Sequence, residues 1–364
     1  MEDSKASWLG QRGLRAADGS VWEGSRSEPP ISEEIPSDPV SGSKVGLLPT
    51  DGMQKGTMFA GRYRIEQYLA RRGGAYVWEA IDLHAPPQES SRVALKVMNA
   101  CAQPDPRDEE RFRRETSVAS DFEGPHFVRV LHFGVADGIR YMAFELLEGE
   151  TLAQHVERAR RLSALQCLWL LKQASAALAT VHARGVVHRD ISPANIFLAA
   201  QPGGARPLLK ILDFGVAKRV EFDARLTSPG TRIVSSHYMS PEQARCEEHV
   251  GPETDLWSIG AVLYRCMTGR RPFDGDPRNL MRAIMKDEPP PPSTIVGGFG
   301  APVDDFFEMA LCKDTERRFQ SADAMLAAFE AVVAGEPSPP QVDRSQLVLG
   351  ETAPARRISI DRRS

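Results

Sequence analysis

Residues 186–198 read VVHRDISPANIFL, and residues 210–218 read KILDFGVAK. These stretches set out His188, Arg189, Asp190 and Asn195, then Asp213, Phe214 and Gly215, in that order along the chain. Taken singly, each Asp or Asn is best read as a turn former or helix cap, where those residue types concentrate. Their joint occurrence points elsewhere. Two carboxylates and a side-chain amide in a short span are the donors that phosphoryl transfer requires: a group to position an attacking hydroxyl, and hard oxygens for a cation bridging nucleotide phosphates. Asp190 suits the first role, Asn195 and Asp213 the second.

Composition bounds the rest. With 364 residues and 41% hydrophobic content, the chain can bury the core of one large two-lobed domain plus tails. A formal net charge of -4 gives no sign of a nucleic-acid or anionic-membrane surface. Cys101, Cys167, Cys246, Cys266 and Cys312 are scattered, without the short paired spacing of metal sites, and read as reduced thiols. No apolar run reaches spanning length, and the start, MEDSKASWLGQRG, lacks the apolar stretch of a secretory signal, so the expected compartment is the cytoplasm.

Residues 1–58, with the Ser/Pro-rich run SRSEPPISEEIPSDPVSGS, read as a disordered leader, and residues 335–364 as a flexible tail. Between them, 59–334 reads as one domain whose character changes beyond Thr151. The first part predicts strands at Tyr63–Leu69, Tyr76–Asp82, Arg92–Met98, Phe127–Val135 and Arg140–Leu147, interrupted by a charged helix at Arg107–Asp121. The second is helical: Ser163 and Gln166 form a capping box ahead of a long helix ending at Gly185, and further helices fit Thr254–Thr268, Asn279–Lys286, Val303–Leu311 and Ser321–Val333. In VALKVM, Lys96 lies in an apolar strand, where a lysine must snorkel or find anions.

The stretch VVHRDISPANIFL resembles the catalytic loop of eukaryotic-type (Hanks-type) serine/threonine protein kinases, and KILDFGVAK their magnesium-binding segment. YMSPEQ (238–243) and DLWSIG (255–260) are similar to segments further along the family's large lobe, and the wording looks most like the bacterial branch. The resemblance implies an α+β, two-lobed protein-kinase-like fold: a small antiparallel-sheet lobe with one helix (59–146) and a larger helical lobe (147–334). It implies ATP and Mg2+ as cofactors and proteins as substrates. Residue by residue, it implies Asp190 as the group that orients the hydroxyl, Asn195 and Asp213 as magnesium ligands, and Lys96 on the α and β phosphates, paired with Glu115 of RFRRET. Leu69, Val77, Ala94, Glu145 and Leu147 would surround the nucleotide, with Phe144 behind the adenine. Glu242 and Arg318 would form a structural ion pair. Arg189 would meet a phosphorylated loop, with Thr227 and Thr231 the better candidates for self-phosphorylation.

The sequence departs from the family at three places. Aligned on Val77, the nucleotide-covering loop has Ala70, Arg72 and Ala75 where glycines are expected, with Gly73 and Gly74 between them. Glycine there permits positive φ and close approach of backbone amides to phosphate. Ser192 stands where a lysine near the γ-phosphate is usual, and Ser235-Ser236 where a Thr-Pro-like pair is common. Arg71 or Arg72 could replace the lost phosphate contacts. The departures keep open an alternative, a kinase-like scaffold without transfer. In the tail, ARRISI sets Ser359 after two arginines, a pattern read either as a self-substrate or inhibitory strand or as an ordinary basic tail.

Overall fold

The computed structural model describes residues 53–72, 75–88, 90–98, 112, 116, 120–213 and 236–335. Strands β1 (Met58–Phe59), β2 (Tyr63–Arg72), β3 (Ala75–Asp82), β4 (Arg92–Met98), β5 (Val130–Ala136) and β6 (Ile139–Glu145) form a six-stranded sheet in the order β1-β2-β3-β4-β6-β5. Every pairing is antiparallel. Side chains alternate along a strand, and the alternation sorts this sheet into two faces. Tyr63, Ile65, Trp78, Ala80, Val93, Leu95, Val97, Tyr141 and Ala143 close a small core on one side. The residues between them, including Val77, Glu79, Ala94, Lys96, Met142 and Phe144, line the other. Strand register aligns these in rows, Val77 with Lys96 and Met142, and Glu79 with Ala94 and Phe144. Met53 already packs on the small core and Gly56 N–H donates to Ile65 O, so folded chain starts ahead of the expected boundary at 59.

Of the expected helix at 107–121, Phe112, Thr116, Ser120 and Asp121 are described, and all are helical. Thr116 Oγ1 donates to Phe112 O at 2.6 Å and Ser120 Oγ to Thr116 O at 2.7 Å, the i, i+4 line of one helix face. The strand expected from Phe127 begins only at Val130. Phe122 and Phe127 are instead buried in the core of the large lobe, and Phe127 bridges Ile211 in parallel. The polypeptide therefore dips into the large lobe before returning to the small sheet.

The large lobe opens with β7 (Gly149–Thr151), which pairs with β8 (Ile196–Ala199), itself paired with β9 (Leu208–Ile211), in a three-stranded sheet. Gly149 has φ +134°, and a Cβ there would sit 2.1 Å from Leu198 O, so the connection between lobes requires glycine at this point. Helix α1 (Leu152–Ala159) starts on a Thr151/Gln154 capping box, and α2 (Ala164–Ala183) on the anticipated Ser163/Gln166 box. The remaining helices are α3 (Pro241–Ala244), α4 (Glu253–Thr268), α5 (Pro277–Lys286), α6 (Pro292–Ile295), α7 (Ala301–Ala310) and α8 (Ala322–Ala334). Helix α4 is buried along its whole length except at Glu253 and Arg265, as a helix at the centre of a large core must be. Gly260 lets α7 approach it: a Cβ there would lie 3.1 Å from that of Ala310.

Candidate active site

The loop 188–195 hangs from the buried start of α4. The Asp255 carboxylate, 0% exposed, accepts the backbone N–H groups of His188 and Arg189 and contacts His182 Nε2, each at 2.8 Å. A buried carboxylate without such donors would be costly, so loop and helix specify one another. Arg189 has φ 66° and Asp213 φ 48°, left-handed conformations that cost a non-glycine residue about 1–3 kcal/mol and persist where surroundings over-determine them. For Arg189 the surroundings are Asp255 and Gln243, whose Nε2 donates to Arg189 O at 2.8 Å.

His188 completes the frame. Its Nε2 donates to Leu212 O at 3.1 Å and its Nδ1 accepts Asp190 N–H at 3.3 Å, partners that call for a neutral ring. Burial holds its pKa below the ordinary histidine value, against the pull of the nearby Asp255 and Asp190 carboxylates.

Asp190 and Asn195 face each other: Asn195 Nδ2 donates to Asp190 Oδ2 at 2.6 Å and to Asp190 O at 2.9 Å. That contact turns the amide nitrogen toward Asp190, so the amide oxygen is the atom of Asn195 suited to a cation. Leu212 N–H donates to Asn195 O at 2.8 Å, which brings the neighbouring Asp213 alongside. From the small lobe, Lys96 Nζ reaches Asp213 Oδ1 at 2.5 Å. The structure thus brings Lys96, Asp190, Asn195 and Asp213 together from two lobes. One carboxylate and one amide oxygen are the sparse hard-oxygen set that suits a magnesium ion completing its shell with phosphate and water.

Val77, Ala94 and Phe144 share the Lys96 face of the sheet, all partly exposed, while Leu69 sits at the register shift between Tyr68 and Ala70 in β2 and is 39% exposed. Leu147 is half-buried in the connection that follows β6. Glu145 ends β6, and its carboxylate accepts Lys210 Nζ at 2.6 Å. Arg71 turns away from this cleft: it pairs with Tyr76 on the core side of the sheet and lays its guanidinium over the Tyr76 ring, 5.1 Å from the centroid. Of the two arginines considered for phosphate contact, Arg71 is thereby removed. Ser192 is buried within the loop, its carbonyl accepting Asn195 N–H. Glu115, Phe214, Gly215, Thr227, Thr231, Ser235 and Ser359 lie outside the described residues.

Glu242 and Arg318 form the anticipated buried pair, at 2.9 and 3.2 Å, with Thr254 Oγ1 donating to the same carboxylate. Burial pushes the Glu242 carboxyl up, but Arg318 and Thr254 outweigh it and hold its pKa below the usual range. Sequence reasoning did not anticipate Asp255 as the anchor of the loop. The signal was present as an acid directly ahead of the apolar stretch that begins at Leu256 in α4.

A curled small sheet over a helical lobe, with a lysine from the first meeting an Asp/Asn/Asp set from the second, defines a protein kinase. The profile of the family described as Protein kinase domain matches residues 83–329, and this chain belongs to that family. It is 34% identical over 307 residues to the serine/threonine-protein kinase PknA of Mycobacterium tuberculosis, covering 82% of this chain and 67% of PknA. To PknE of the same organism it is 32% identical over 281 residues, 77% of this chain and 48% of PknE. Among solved structures, the kinase domain of M. tuberculosis PknI superposes with a TM-score of 0.59 at 24% identity, covering 77% of this chain and 100% of that domain, a likeness of fold.

Proposed function

We propose that this chain transfers the γ-phosphoryl group of ATP to serine or threonine hydroxyls of proteins. The observation that carries the reading is the convergence of Lys96, Asp190, Asn195 and Asp213 in a chain 34% identical to a serine/threonine kinase. Lys96 binds the α and β phosphates, with Glu115 as its partner on the small-lobe helix. Asp190 orients the acceptor hydroxyl and takes its proton late in the transfer. Asn195 and Asp213 hold Mg2+, which when bound neutralises charge on the transferring phosphoryl group. Ala94, Val77, Leu69 and Phe144 enclose the base, and the Glu145–Leu147 backbone reads its edge. The role of making up, with charge, for the phosphate contacts of the missing loop glycines then falls to Arg72, whose side chain lies outside the described residues.

The same reading places self-phosphorylation at Thr227 or Thr231 and makes 59–334 the catalytic unit. No helix among the described residues is long and apolar enough to cross a membrane. We take its substrates to be proteins of the cytoplasm, a reading that rests on the family resemblance and the modest net charge of -4.

The test is transfer of radiolabelled phosphate from ATP with magnesium, to the chain itself and to a generic basic protein, with Asp190→Asn as control. We expect a loss of roughly 10^2–10^4-fold in the control, the usual contribution of a positioned base. Equal labelling in both proteins, or none in either, would overturn the reading and favour a scaffold.

A further inference from the structure

The small sheet reaches the large lobe by two routes: the connection after Glu145, and the segment 121–129 that enters the large-lobe core. The second route is anchored at several points. Arg184 donates to Asp121 O at 2.7 Å and stacks on Phe122, whose ring lies 5.3 Å from Phe127. His126 Nδ1 contacts Leu209 O at 2.9 Å, and Ile211 N–H donates to His126 O at 2.8 Å. This segment is therefore part of the large lobe, fastened along β9, the strand that leads to Asp213.

Lys210 sits in the middle of β9 and is mostly buried, its side chain 12% exposed. Its Nζ donates to Phe127 O at 2.8 Å and to Glu145 Oε1 at 2.6 Å. That same oxygen accepts Arg129 N–H at 3.0 Å, and Glu145 N–H returns a bond to Arg129 O at 3.0 Å. One ammonium thus joins both interlobe routes and the strand that leads to a proposed magnesium ligand. The charged ends of both groups are taken up by these contacts, and nothing in the transfer chemistry calls for them. A lysine and a glutamate held this way lose hydration, and the arrangement persists only because each donor and acceptor is matched.

We infer that Lys210 is a positioning residue that, through Glu145, sets how far the connection between the lobes can open and hence how long nucleotide is retained. The inference rests on the kinase reading of the cleft. If the lobes open, Glu145 moves with β6 while Phe127 and Lys210 stay with the large lobe, so opening must lengthen or break the Lys210–Glu145 bond. A bond lost on opening and regained on closing biases the pair of states toward the closed one by the difference in its strength between them. Removal should speed nucleotide escape without touching the groups that perform transfer.

The experiment compares wild type with Lys210→Met, Lys210→Arg, Glu145→Gln and the Lys210→Met/Glu145→Gln double variant, all in the full chain. The readouts are dissociation of a fluorescent ADP followed by stopped flow, KM for ATP beside kcat, thermal unfolding, and hydrogen exchange at the Arg129 and Glu145 amides. For Lys210→Met we expect ADP release and KM to rise about fivefold or more, with kcat not reduced in parallel and faster exchange at both amides. Lys210→Arg should stay near wild type, and the double variant should be no worse than Lys210→Met, since both singles break one contact. Unchanged ADP release and KM in Lys210→Met would overturn the inference. So would a loss of kcat and melting temperature shared by Lys210→Arg, the mark of a purely structural lysine. Because ADP release needs no transfer, an inactive chain that still binds ADP separates failure of the kinase reading from failure of this one. A wild type that binds no nucleotide removes both.

Discussion

The two lobes hold their functional side chains by different means. In the small lobe, Lys96 and Ala94 face the cleft because Val93, Leu95 and Val97 face a core, and alternation along β4 leaves them no other side; Val77 joins them by pairing with Lys96. In the large lobe, Asp190 and Asn195 lie on a loop with no periodicity, and their positions come from hydrogen bonds to the buried Asp255 and to Gln243. The contrast teaches that apolar burial places a side chain by face, to within a strand register, whereas a loop needs charged anchors to place it at all.

The largest expected effect breaks the loop side of this contrast. Asp255→Ala leaves two backbone N–H groups buried without their acceptor, and we expect a loss of about 3–5 kcal/mol in stability with transfer abolished. Asp255→Asn keeps an acceptor oxygen but adds an amide with no place to donate, so about half that loss should follow, measured by urea denaturation.

The sheet side predicts a split between neighbours. Leu95→Ala should cost about 2–5 kcal/mol of stability and leave the ATP KM of the folded enzyme near wild type. Ala94→Leu should do the reverse, with stability almost unchanged and KM raised about tenfold as the added methyl groups fill the cleft. Equal KM effects from the two variants would contradict the facing assigned to β4.

The smallest effect concerns a charge that neither lobe uses for chemistry. Lys313 Nζ lies 4.0 Å from the Phe273 ring centroid and 4.7 Å from that of Trp257. Burial lowers its pKa to about 8, against the pull of Glu288 and Asp287. A lysine pKa below its unfolded value of 10.5 means that the unfolded chain binds more protons between those limits, so this group makes stability rise as pH climbs from 8 toward 10.5. Lys313→Met should remove that rise and stabilise the protein at pH 7 by roughly 1 kcal/mol, after allowance for solvent screening and the lost ring contacts. Melting curves at pH 7 and 9.5 test both the sign and the pH window.

Much of this protein could be read along the chain. The strands β2, β3, β4 and β6, the capped start of α2 and the Asp190/Asn195/Asp213 set carry local signals: period-2 alternation, a Ser163/Gln166 box, and a dense run of polar residue types. Helix α1 was legible too, in the Thr151/Gln154 box, but went unread. Other features had no local signal. The true start of β5 depends on Phe127 being taken by the large-lobe core, a contact with Ile211 far along the chain. Strand β2 carries two register shifts, between Ile65 and Gln67 and between Tyr68 and Ala70; each exchanges the faces of the strand, so the side taken by Arg71, fixed by its pairing with Tyr76, depends on the partner strand.

The sequence by itself determined which chemistry this chain can carry, because phosphoryl transfer constrains residue types and their order. It also determined which strand faces are apolar, because burial acts on every second residue. Only the tertiary structure decided which groups meet. Lys96 with Asp213, Asp255 with the loop amides, and Lys210 with Glu145 are joined across long stretches of chain. Ion pairs and hydrogen bonds act over a few ångströms of space, and that distance is set by how the lobes pack rather than by the spacing of residues along the chain.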